Sequence, residues 1–139
     1  MLSINQESDM GYRSDVVFAM YAMDEKDYPA LQVWFSQFEH EIAELGIAEC
    51  FKVVDIFASN ENKAIVFEIT DTKWYDSYAE VKFINWLHTH FKNVFQTEAT
   101  EGLYNYEFIR IGEDTTDIEE DCGNHGFNLI GVSRSITFY

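Results

Sequence analysis

Residues 51–70, FKVVDIFASNENKAIVFEIT, decide the fold. Two runs rich in β-branched and aromatic residues, 51–58 and 63–70, flank the tetrapeptide Ser59-Asn60-Glu61-Asn62. Short polar residues of this kind bond their own backbone and mark turns, so the segment predicts a β-hairpin. On either side the apolar period changes from two to 3.6. Upstream, Leu31, Trp34, Phe35, Phe38, Ile42 and Leu45 recur as one helical stripe from Ala30 onward, with Glu39, Glu41 and Glu44 off it towards water. Gly46 suits the end of that helix, because glycine enters the left-handed region without steric cost. Downstream, Asp76 to Phe91 predicts a second helix. Val81, Ile84, Leu87, His88 and Phe91 share a face there, Tyr78, Phe83 and Trp86 stand beside it, and Asp76 or Ser77 with Glu80 offers a capping box.

Working outward, DVVFAMYAM at 15–23 reads as a buried strand, broken by Asp27, Tyr28 and Pro29. YNYEFIRI at 104–111 reads as a fourth strand and NLIGVSRSITF at 128–138 as a fifth. The order is β-α-β-β-α-β-β. It predicts an α+β fold with an antiparallel sheet and two helices on one face, ferredoxin-like with an added strand. That architecture carries many unrelated functions, so function must be argued from the side chains.

At 139 residues the chain is of one-domain length, and with 47% apolar and 17% aromatic residues it can bury a core without disulfides or metal. We read a flexible tail over 1–14 and a single domain over 15–139, with no repeat or linker. The start, MLSINQESDMGYRSD, has neither the basic nor the apolar region of a signal peptide, and no run approaches a bilayer span. Cys50 and Cys122 are too few for a disulfide framework and fit a reduced, cytoplasmic setting.

The net charge of −16, from 25 acids against 9 lysines and arginines, repels phosphate. It argues against direct nucleic-acid binding and against anionic membranes. The acids concentrate outside the middle of the chain. Residues 1–49 carry ten acids and two bases, 50–97 six and five, and 98–139 nine and two.

The densest stretch is EDTTDIEED at 113–121, read as a long loop between strands. As a calcium loop it fails in both registers. Starting at Asp117 puts Cys122 at the glycine position and Asn128 at the glutamate position, and starting at Asp114 puts Ile118 and His125 where oxygen ligands are required. Cys122 and His125 are spaced like half a zinc site. The other candidates, His88, His90, His40 and Cys50, include no second such pair, so neither a metal nor another cofactor is expected. His88 and His90 in WLHTHF resemble one of the two His-x-Thr units of certain phosphodiesterases, but no second unit occurs. On a helix His88 belongs to the packed face or its border and His90 to solvent. There is no glycine-rich phosphate loop and no nucleophile elbow. Trp74, Tyr75, Tyr78, Tyr104 and Tyr106 sit in polar contexts of the kind found on protein-binding surfaces.

Small, acidic, aromatic-rich and without motifs, the chain resembles, as a class only, phage-encoded inhibitors and nuclease-immunity proteins, which use carboxylate surfaces to occupy nucleic-acid-binding sites. That resemblance implies a non-enzymatic, DNA-mimic-like or anti-restriction role. The expected partner is a basic nucleic-acid-binding protein or nuclease, with a homodimer left open. The residues expected to meet it are Glu113, Asp114, Asp117, Glu119, Glu120 and Asp121, with Glu39, Glu41 and Glu44 on the first helix. The competing reading is a small hydrolytic enzyme using His88 and His90, or Cys122 and His125, with carboxylates.

Overall fold

A computed structural model describes residues 11–132 and 135–139. Strand β1 (Ser14–Ala22) is the centre of a five-stranded sheet. It is flanked by β3 (Ser59–Thr72) and β4 (Tyr104–Gly112), with β2 (Phe51–Ile56) and β5 (Ile118–Cys122) at the edges. Every neighbouring pair is antiparallel. The order β2-β3-β1-β4, with two helical crossovers on one face, is the α+β, ferredoxin-like arrangement predicted, with β5 as the added strand.

β1 reads as a continuous apolar run because both faces of the sheet are covered. Val16, Phe18, Met20 and Ala22 enter the core under the helices. Val17, Ala19 and Tyr21 enter a second core on the opposite face with Val66, Ile109, Leu129 and Ile130. The predicted fifth strand over 128–138 is instead two short strands, β6 (Ile130–Val132) and β7 (Ile136–Phe138), which pair with each other in a separate sheet and close that second core.

The first helix is interrupted. α1 (Tyr28–Ser36) and α2 (Glu39–Glu44) are separated at Gln37 and Phe38. There the Ser36 hydroxyl donates to the Val33 carbonyl at 2.6 Å, and the amides of Gln37 and Phe38 bond three residues back. A hydroxyl competing for a backbone carbonyl tightens and ends the turn. The stripe survives the break: Leu31, Trp34, Phe38 and Ile42 are all buried. Pro29 opens α1 rather than breaking the chain, since the first turn needs no N–H from it. Gly46 has φ +71°, as its capping role requires.

α3 spans Ala79–Phe95, shifted from the predicted 76–91. Tyr78 precedes it without a side-chain cap, so the capping box is not formed. The helix runs on because Phe95 is buried against Trp34, Phe91 and Tyr104. The hairpin turn lies at Phe57 and Ala58, both with positive φ, and not at 59–62. Pairing then passes from Ile56–Ser59 to Asp55–Lys63, so residues 60–62 bulge, and buried Asn62 donates to the Ala22 carbonyl at 3.0 Å. Of the predicted tail, residues 1–10 lie outside the described residues. Tyr12 and Arg13 bond to the β4–β5 connection, and Ser14 begins β1. No helix among the described residues is long and apolar enough to cross a membrane.

Candidate binding surfaces

The acidic stretch is not one loop. Residues 113–117 make the β4–β5 connection, and Glu119, Glu120 and Asp121 belong to β5, paired with Arg110, Ile109 and Phe108. Strand alternation therefore splits them. Glu119 and Asp121 lie on the helix side of the sheet, and Glu120 lies on the other.

The helix-side carboxylates are held by cations of the same chain. The Arg110 side chain is only 12% exposed. Its Nε donates to Glu119 at 2.9 Å, its two terminal nitrogens reach both oxygens of Asp117 at 3.1 and 2.6 Å, and one of them also meets Ser14 Oγ at 3.1 Å. The Tyr12 hydroxyl donates to Asp117 at 2.7 Å. The Arg110 hydrogen bonds, and then Tyr12, hold the Asp117 carboxyl below its usual range. Asp114 is held low by the backbone N–H and then the hydroxyl of Thr116. Glu113 accepts the Arg13 N–H at 2.8 Å.

Asp121 meets three groups: Lys92 Nζ at 2.7 Å, the Tyr106 hydroxyl at 3.0 Å and His88 Nε2 at 2.9 Å. Burial opposes its ionisation, but Lys92 and Tyr106 outweigh it and keep the carboxyl low. The His88 contact lies off the ring N–H axis, so it is a close approach rather than a hydrogen bond. Burial, and then Lys92, pull the His88 pKa down, and its ring is boxed by Phe18 and Phe108.

The acids of α2 sit apart from these. The α1–α2 arm leans on β2 through Phe35 and Phe51, while α3 covers β4 through His88 and Phe108. The α2 and β5 carboxylates thus flank α3 on opposite sides. Glu44 pairs with His40 one turn away at 3.0 Å, and Glu41 borders a groove with Leu45, Phe83 and Trp86.

One acidic surface was not legible beforehand. The ends of β1, of the β2–β3 hairpin and of β4 meet at one end of the sheet. The Met23 N–H donates to the Leu103 carbonyl at 2.8 Å, Ser59 Oγ to Glu25 at 2.9 Å, and the Tyr104 hydroxyl to the Asp27 carbonyl at 2.9 Å. This gathers Asp24, Glu25, Asp27, Glu61, Glu98 and Glu101 around a single lysine, Lys26. They come from three distant segments, so only the topology reveals them.

Comparison of the chain with known protein families, curated proteins and solved structures found no match. The candidate catalytic pairs are not assembled. His88 and His90 diverge as expected, but His90 is half-buried, stacked between Trp86 and Trp34, and not in solvent. His125 Nε2 stands 3.0 Å from the Gly102 carbonyl. Burial, and then neighbouring carboxylates, push the Cys122 thiol up, and burial does the same to Cys50, opposite to what a nucleophilic thiolate needs. Both cysteines are free. Among the described residues, no three metal-ligating side chains are grouped to hold an ion. Tyr104 and Tyr106, expected at the surface, are buried in the core.

Proposed function

We propose that this chain is a non-enzymatic, cytoplasmic binding protein that presents carboxylates to a basic surface of a partner protein. Its mode of action is that of a DNA mimic. The partner class is a nucleic-acid-binding protein or nuclease, as for phage-encoded anti-restriction inhibitors or immunity proteins. One observation carries the reading. Arg13, Lys52, Lys63, Lys92 and Arg110 are each held by carboxylates of the same chain. Six further acids nevertheless converge at the sheet end beside only Lys26. Repulsion among clustered like charges costs stability, and a cationic partner relieves it while speeding encounter. Within residues 113–121, Glu113, Asp114 and Glu120 are the carboxylates free of Arg110 and Lys92, so the outward share of that stretch falls to them.

Immobilised protein exposed at low salt to lysate tests the reading. Retained proteins should be basic, should elute as salt rises, and should be displaced by competitor duplex DNA. A retained set without basic bias, or one indifferent to DNA, overturns it. The hydrolase alternative rests on the approach of His88 to Asp121. A His88→Gln variant with unchanged partner binding, and no hydrolysis by the parent, removes that alternative.

A further inference from the structure

α2 and α3 leave a groove of about 420 Å³ between them, with Leu45, Ala79 and Phe83 forming its apolar lining. Trp86 stands at its edge, 47% exposed. An indole so placed is usually mobile, but this one is fixed. It stacks on His90 at 4.7 Å and 14°, meets Phe38 edge-on at 5.4 Å, and His90 in turn stacks on Trp34 at 5.6 Å. A rigid, half-exposed aromatic loses little entropy on binding, which is the physical basis of interface anchors. Glu41 lies on the α2 wall with Glu44 one turn further, and Lys82 is the one base on the α3 wall.

Resting on the reading above, we propose that this groove is where the basic partner docks, through an amphipathic helix whose apolar side chains pack on Phe83 and Trp86. Its lysines or arginines meet Glu41 and Glu44. Two antiparallel helices present a groove that a third helix fills by ridge-into-groove packing. The surplus of carboxylates over the single lysine makes a cationic helix the complementary occupant. A second copy of this chain would instead bring two sets of α2 glutamates together.

The probe is a synthetic helical peptide of leucines and lysines with its leucines on one face, compared with an all-lysine peptide of equal charge. The leucine–lysine peptide should bind more tightly and perturb the backbone amide signals of Leu45, Phe83 and Trp86. Trp86→Ala should weaken it about tenfold or more while leaving the melting temperature unchanged. Lys82→Glu should strengthen it, with the gain shrinking at high salt. If both peptides bind equally, with signals spread over the acidic surfaces and no effect of Trp86→Ala, the groove assignment falls and the acidic-binding reading stands. If neither peptide binds at low salt, both fall. Concentration-dependent dimerisation abolished by Trp86→Ala, without peptide binding, overturns the choice of occupant.

Discussion

The Tyr21 hydroxyl donates to the buried carboxylate of Glu107 on the neighbouring strand. That carboxylate also accepts the backbone N–H groups of Leu129 and Ile130, at 3.0 and 3.1 Å. Asn105 and Asn128 donate to the same hydroxyl at 2.8 and 3.2 Å. A buried acid thereby fastens β6 to the sheet. Its charge serves the fold and not the surface. An amide in its place would set donor against donor. Glu107→Gln should cost about 1–3 kcal/mol in urea unfolding and should speed amide exchange at Leu129 and Ile130 before the rest of the sheet. An unchanged exchange rate there would sink this account.

Stability should fall as pH drops, in two steps. The folded-state pKa of His88 lies below its usual 6.5, so its neutral form is favoured by the fold. That contribution is complete above 6.5 and is lost as pH falls towards the folded value, because the unfolded chain takes up the proton first. The groups facing His88 are Asp121, Lys92 and Tyr106. The second step begins below about pH 4, where Asp114, Asp117 and Asp121, all held low in the fold, start to be protonated. Melting temperatures of parent and His88→Leu between pH 7.5 and 5.5 check the first step, and the slope should flatten in the variant.

Ala58 holds φ +56° in the hairpin turn, where a side chain is strained. Ala58→Gly should therefore stabilise by about 0.5–1 kcal/mol, since relief of the left-handed strain exceeds the added freedom of the unfolded chain. Phe57→Asn at the adjacent position should gain less, because the Phe57 ring packs edge-on against Tyr21 at 5.8 Å. Thermal denaturation of the two variants ranks them.

The acids of residues 113–121 should separate into two classes by substitution. Asp117→Asn with Glu119→Gln strips Arg110 of its partners and should lower the melting temperature. Glu120→Gln, an exposed change, should stay within about 0.5 kcal/mol of the parent. Equal effects would mean that the Arg110 cluster contributes nothing to the fold.

The contrast between Glu119 and Glu120 shows where reading a sequence stops. The apolar periods located both helical crossovers and four strands, because burial on one stripe or two faces leaves a periodic trace. Ile118–Cys122 left none. A strand whose side chains are mostly carboxylates is stabilised by what its neighbour supplies, here Arg110 and the backbone of β4, and that is written 7 to 15 residues upstream. Ser36 and Phe57 were opaque for a related reason. A side-chain bond to one carbonyl ended α1, and a positive-φ turn formed at residues that lack the glycine or asparagine signal. Among the candidate site residues, spacing identified the acids correctly as a dense group. It could not say that Arg110 and Lys92 would claim Asp117, Glu119 and Asp121.

The central place of β1 bears on how the chain is made. Val17 pairs with Glu68 on one side and with Ile109 on the other. The most apolar strand is thus translated first and obtains its second neighbour only after β4 emerges. At roughly 5–20 residues per second, that wait is on the order of ten seconds. Throughout it, residues 16–22 present bare edges and two uncovered faces to the cytosol, so nascent chains, more than the finished protein, are the form that needs chaperone protection.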